Sequence, residues 1–151
     1  MSNTEFIYMA VIAAPREKVW EALTTAEFTQ QYWHRTLVQS DYRKGSAIEF
    51  VTADGEVGVR GEILRSQYPA ELSYSWQFLR MDETSGDAPS RVTFRLEALD
   101  VGTRLVVIHD RLEGAARTAE MVTFGWPHVI CGLKTLLETD SAIDFSLAKA
   151  S

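Results

Sequence analysis

Between Leu72 and Phe78 apolar and polar residues alternate without a break: Leu72, Tyr74, Trp76 and Phe78 take one parity, Ser73, Ser75 and Gln77 the other. A strand turns successive side chains to opposite faces, so this run offers one face to a core and one to water. Val92, Phe94, Leu96 and Ala98 repeat the pattern against Thr93, Arg95 and Glu97, and a turn at Asp100–Gly102 leads into Leu105–His109. Upstream, Ile48 and Phe50 alternate with polar neighbours before a turn at Asp54-Gly55. Val57, Val59, Gly61 and Ile63 then share a parity opposed by Arg60 and Glu62, and Tyr68-Pro69 ends that strand. Strands with one wet face form antiparallel sheets. Glu5–Ala13 adds a first strand, closed by Ala14-Pro15.

Helical periods flank this block. Pro15 suits a first helical turn, with Val19, Trp20 and Leu23 following at helical spacing. Thr24 and Glu27 have the spacing of a capping box that would open a second short helix burying Phe28, Tyr32 and Trp33. From about Ala115, residues Ala119, Val122, Trp126, Ile130, Leu133 and Leu137 fall on one helical arc. Pro127 lies within that arc and removes a backbone donor, so either the helix kinks there or its regular part begins there. The expected fold is α+β: a curved antiparallel sheet of six to seven strands around a long C-terminal helix, with two short helices after strand one, and residues 1–151 forming a single domain.

The inward parity is rich in rings. Phe50, Tyr74, Trp76, Phe78 and Phe94 face Trp126 across the interior, with Trp33 beside them. Any one of these rings alone reads as core. Together, on a concave sheet, they describe the lining of a pocket for an apolar or aromatic small molecule. His109 shares parity with Leu105 and Val107; both parities of that strand are apolar. If the histidine faces inward it joins the lining, as a polar contact or an acid/base group.

Other chemistry finds little footing. His128 and Cys131 are neighbours on the last helix, but they lie with Met121 and Phe124, away from the Trp126 face. No ligand-spaced cluster of His, Cys and carboxylates is present, so no metal and no cofactor is expected. Asp82, Glu83 and Asp87 occupy a polar loop, Asp82–Ser90, without a calcium-loop register. Gly45, Gly55, Gly61 and Gly102 read as turn or bulge positions, not as a phosphate cradle. The stripe of Met121, Phe124, His128 and Cys131 makes the last helix apolar on two sides. A helix apolar on both sides is covered on both, by a loop or by a second copy of the chain.

Composition narrows the class. With 46% hydrophobic and 24% charged residues in 151, the chain has the make-up of a globular domain with a substantial core. A net charge of −6 argues against nucleic acid as partner. No apolar run is long enough for a membrane span, no leader pattern opens the chain, and one cysteine fits a reducing compartment. The expected location is cytoplasmic.

The residues Ala-Pro-Arg-Glu-Lys-Val-Trp-Glu-Ala-Leu-Thr (Ala14–Thr24), Gln-Tyr-Trp (Gln31–Trp33) and Gly-Trp-Pro followed by Leu-Lys-Thr-Leu-Leu-Glu-Thr (Gly125–Thr139) resemble the START-like (SRPBCC, Bet v 1-like) superfamily. Within it they are most similar to the branch homologous to the activator of the Hsp90 ATPase, over nearly the whole chain from about Glu5 to Thr139. The resemblance implies a helix-grip fold with a hydrophobic tunnel between sheet and helix. It implies no catalytic motif. Three functions follow as expectations: a carrier or sensor of an apolar or aromatic, lipid-like or polyketide-like molecule; a cyclase or hydrolase using His109 or Tyr74; and a co-chaperone-type interaction module.

Overall fold

In the computed structural model, which describes residues 5–79 and 86–143, the chain runs β1 (Glu5–Ile12), α1 (Arg16–Thr24), α2 (Ala26–Tyr32), β2 (Leu37–Gln39), β3 (Ala47–Val51), β4 (Val57–Gln67), β5 (Glu71–Phe78), β6 (Ser90–Leu99), β7 (Gly102–Asp110) and α3 (Ala116–Thr139). The strands form one seven-stranded sheet in the order β1-β7-β6-β5-β4-β3-β2, with every pair antiparallel. The two short helices connect one edge strand to the other, and α3 lies across the concave face. The fold is the expected α+β helix grip.

The alternation read from the sequence sets the faces. Leu72, Tyr74, Trp76, Val92, Phe94, Leu96, Leu105, Val107 and His109 are buried, so the inner parity of β7 is the one that carries the histidine. Across from them, Val122, Trp126, Ile130 and Leu133 are buried on α3. The α3 backbone approaches the sheet most closely along β1, and toward β5 and β6 the gap is spanned by large side chains.

Several local expectations need correction. Thr24 and Glu27 form no capping box: the Thr24 hydroxyl donates back to the Trp20 carbonyl at 2.8 Å, and α2 is preceded by Thr25, whose hydroxyl donates to the Glu21 carbonyl. Both hydroxyls are drawn to the exposed carbonyls that end α1. Phe28 is only partly buried. Pro127 does not start the regular part of α3, which is continuous from Ala116 to Thr139.

Gly61 sits inside β4, as its shared parity with Val59 and Ile63 implies, and a Cβ there would lie 1.8 Å from the Ser75 carbonyl oxygen. The Ser75 hydroxyl accepts the Glu62 N–H at 2.9 Å, so the two strands are locked side by side next to Trp76. Gly45, Gly55 and Gly102 do adopt positive φ.

Asp82 and Glu83 lie outside the described residues. Asp87 has a structural partner: its carboxylate accepts both the backbone N–H and the hydroxyl of Thr118, each at 2.8 Å. That satisfies an orphan donor in the first turn of α3 with a side chain from the β5–β6 connection, and places negative charge at the helix N-terminus. Among the described residues, no loop covers the second stripe of α3. Phe124 is 71% exposed, His128 and Cys131 are exposed, and Met121 is half-buried.

Candidate functional site

The site is built around Trp76. Strand β5 delivers its indole to the interior, where ring centroids lie 5.4 Å from Trp126, 5.5 Å from Phe50, 5.6 Å from Phe78 and 5.7 Å from His109. Trp33 stacks nearly parallel to it at 6.4 Å and meets Phe50 at 4.9 Å and Trp126 at 5.4 Å. Tyr74 and Phe94 extend the cluster, 5.9 Å apart, and Phe94 stands edge-on to Trp126 at 5.6 Å. These separations are those of rings in direct contact. Every side chain nominated from the sequence therefore belongs to one continuous cluster. Phe78 is the half-buried member, where the cluster reaches the surface. Four surface grooves lie elsewhere, and none of them touches these rings.

Trp33 owes its place to Thr29. On α2, the Thr29 hydroxyl donates to the Thr36 carbonyl at 2.8 Å and accepts the Val38 N–H at 3.3 Å, tying the helix to β2. His34 and Arg35 both take positive φ in the turn that follows Trp33. The tight reversal holds the indole against Phe50.

His109 is fully buried and committed to the protein at both ring nitrogens. The Trp126 indole N–H donates to Nδ1 at 3.0 Å. An indole nitrogen only donates, so Nδ1 is the acceptor and the proton resides on Nε2, which donates to the Ser90 hydroxyl at 2.7 Å. Ser90 in turn donates to the Trp76 carbonyl at 3.4 Å. Burial pushes the His109 pKa down to about 3, against a weaker upward pull from Asp110. At neutral pH the ring is uncharged.

Not every polar atom in the cluster is matched. Nε1 of Trp76 is buried without a hydrogen-bond partner. The Tyr42 hydroxyl is in the same position. Tyr42 was not singled out from the sequence, where it sits in a polar stretch between strands with no apolar period to mark it. Among the described residues, no group of three or more His, Cys, Asp or Glu could hold a metal ion, and no helix is long and apolar enough to cross a membrane.

Comparisons with known proteins agree with this architecture. The family model for activator of Hsp90 ATPase homolog 1-like proteins matches residues 13–138. No curated protein matches the chain. Among solved structures, protein MLL2253 from Mesorhizobium loti is 25% identical, with 89% of this chain and 96% of that one aligned at a TM-score of 0.74. The Aha1 dimer from Colwellia psychrerythraea is 20% identical, covering 91% of this chain and 98% of that one, with a TM-score of 0.71. DynU16, from the dynemicin biosynthetic locus, is 19% identical over 93% of this chain at a TM-score of 0.77, and the alignment spans 49% of DynU16. The last two likenesses establish shared fold alone.

Proposed function

The chain belongs to the activator of Hsp90 ATPase homolog 1-like family, and on that premise we propose that it binds an apolar or aromatic small molecule among the rings around Trp76, as a carrier or sensor. One observation carries this reading: the indole at the hub of the cluster keeps a buried N–H that no protein group accepts. A buried donor left unmade costs roughly 1–3 kcal/mol, and a ligand that accepts it recovers that cost. The origin of DynU16 in a biosynthetic locus supports a small organic molecule as the cargo. The half-buried Phe78, edge-on to Trp76, is the member of the cluster through which a ligand would have the shortest way in.

Acid/base catalysis has less support. His109 has both nitrogens engaged, and burial holds the Tyr74 hydroxyl protonated. A cytoplasmic location fits the free thiol of Cys131. The test is a thermal-shift and tryptophan-fluorescence screen of aromatic and lipid-like molecules, with native mass spectrometry of protein taken from its own host. A binder raises the denaturation midpoint in proportion to RT ln(1 + [L]/Kd). A screen without any shift, together with Trp76→Ala behaving as an ordinary core truncation, removes the proposal.

A second reading concerns the outer stripe of α3. Phe124 is 71% exposed, and the Tyr8 hydroxyl lies 3.6 Å from Cys131 Sγ, which sets the stripe beside edge strand β1. There Ile7 and Met9 are 56% and 57% exposed, so the apolar surface continues round the edge. We propose that a second copy of the chain covers it, through Met121, Phe124, His128 and Cys131. The dimeric state of the Colwellia protein supports this choice. Sedimentation equilibrium should show a dimer that Phe124→Asp dissociates. A monomer at all concentrations would discard it, and a chaperone ATPase stimulated by the wild type but not by Phe124→Asp would reassign the stripe to a co-chaperone contact.

A further inference from the structure

Strand β1 is an open edge of the sheet, and the chain itself closes only part of it. The Lys134 ammonium donates to the Val11 carbonyl at 2.7 Å, the Glu138 carboxylate accepts the Ala13 N–H at 2.8 Å, and the two side chains pair with each other at 2.7 Å. Val11 and Ala13 therefore turn these backbone groups away from β7, whereas the Ile12 carbonyl points inward, against Gly102. Successive residues of a strand alternate in this respect, so Glu5, Ile7 and Met9 also aim N–H and C=O at the free edge. From this arrangement we infer that two copies of the chain join edge to edge through Glu5–Met9 of β1, antiparallel, with Ile7 of each copy opposite Ile7 of the other on the two-fold axis. The inference rests on the self-association proposed above and defines its contact.

The caps fix the register. Beyond Met9 the edge is occupied, so a second strand pairs with the open stretch, whose midpoint is Ile7. An antiparallel partner centred there sets Glu5 opposite the partner's Met9, and each opposed pair exchanges two backbone hydrogen bonds. Glu5 is exposed and makes no ion pair among the described residues. This register carries it toward the end of the strand where the partner's Lys134 lies. Opposite charges thus approach at both ends of the contact.

Strand β1 lacks the features that keep an edge solitary. Edges are ordinarily short, bulged, or interrupted by charge or proline. The opposite edge, β2, has three residues. Strand β1 runs for eight residues in unbroken register with β7, and from Phe6 to Ile12 it holds neither charge nor proline. Ile7 and Met9 are exposed on its outer face. An unrelated peptide strand would cover this edge and leave the α3 stripe bare. A second copy covers both. The Tyr8 hydroxyl, one residue from the axis, lies 3.6 Å from Cys131 Sγ, so the symmetry brings the two α3 helices alongside each other over the joined strands. A stable dimer buries about 800 Å² on each partner, more than the short edge alone supplies, so the helix stripe has to take part.

Sedimentation equilibrium of the whole chain measures the dimer Kd. Met9→Pro deletes an N–H that faces away from β7, an orientation in which an edge strand tolerates proline. It should raise Kd about tenfold or more by removing one cross-strand bond from each half of the contact. Ile7→Lys and Ile7→Glu each set like charges on the axis and should weaken the dimer about tenfold or more. Mixed in equal amounts, these two variants should dimerise again, because the opposed charges then differ in sign. The Ile7 variants keep the backbone donors and carry the test if Met9→Pro folds poorly. Val11→Lys, beyond the open stretch, should leave Kd within about twofold. Cys131 is the only cysteine, so a covalent dimer made with a hexane-length bismaleimide reports that one pair; it should form in the wild type and fail in Met9→Pro. A dimer indifferent to Met9→Pro and to the Ile7 charges overturns the edge contact while self-association stands. A wild-type dimer that the bismaleimide does not join overturns the placement of the helices beside the axis. A monomer at every concentration removes self-association and this contact with it.

Discussion

Trp126 on α3 and His109 on β7 are joined by a hydrogen bond of 3.0 Å from indole N–H to Nδ1, the one polar tie between helix and sheet inside the aromatic cluster among the described residues. It orients both rings and assigns the histidine tautomer. Trp76, a few ångströms away, makes no such bond through its own N–H.

The two tryptophans should therefore respond differently to the same substitution. Trp126→Phe strands a buried acceptor on His109, whereas Trp76→Phe deletes a donor that was already unpaired. Both variants lose similar volume, so the difference isolates the hydrogen bond. Urea denaturation is expected to place Trp126→Phe below Trp76→Phe by about 1–3 kcal/mol. Equal midpoints would mean that the indole–imidazole bond contributes nothing.

His109 also sets an acid limit. In the unfolded chain a histidine takes up a proton near pH 6.5, while folded His109 resists until about pH 3. Across that window the unfolded state binds more protons, so stability rises with pH and is lost as pH falls from about 6.5. Asp110 and Glu138 are held below the usual carboxylate range, chiefly by hydrogen bonds from Arg91 and Lys134 respectively. Depressed carboxylates keep their contribution above their unfolded pKa and lose it only below about pH 5. The interval from about pH 6.5 to 5 thus belongs to histidine. His109→Gln should flatten the slope of unfolding free energy against pH there, even if the variant is less stable at pH 7. An unchanged slope would show that another group titrates.

Faces were legible in the sequence; distances between faces were not. Period-two runs at Leu72–Phe78 and Val92–Ala98, and the helical arc through Trp126, assign inner and outer sides because pleat and helix have fixed periods. Nothing local tells how closely Trp33, Trp76 and Trp126 approach, since that depends on the curl of the whole sheet. The Thr24–Glu27 spacing failed as a capping box because a nearer acceptor, the Trp20 carbonyl, took the hydroxyl. Tyr42 reaches the interior from a loop, where no period exists to reveal it. Asp87 caps a helix far along the chain, a tertiary contact beyond any sequence window.

Gly61 explains how Trp76 keeps its position. With a Cβ at 1.8 Å from the Ser75 carbonyl oxygen, Gly61→Ala forces two paired strands apart one residue from the hub indole. The obstacle is backbone and cannot rotate away. Gly61→Ala is expected to cost several kcal/mol, comparable to a severe overpacking change, and to shift Trp fluorescence in the native state. A variant of wild-type stability and spectrum would mean that β4 and β5 slide freely there.

The cap from Asp87 is the cleanest test of how the β5–β6 connection governs α3. Its carboxylate satisfies the Thr118 N–H and hydroxyl at once, and sits where the helix dipole favours negative charge. Asp87→Ala removes all three contributions and should destabilise the fold by about 0.5–2 kcal/mol, the usual range for a lost cap. Asp87→Asn keeps an acceptor but not the charge, so it should fall between the alanine variant and the wild type. Because Thr118 lies two turns before Trp126 on the same helix, hydrogen exchange should quicken in the first turns of α3 in Asp87→Ala and remain slow around Ile130. Uniformly faster exchange along the whole helix would show that Asp87 acts on global stability, without a local role in pinning the helix start over the aromatic cluster.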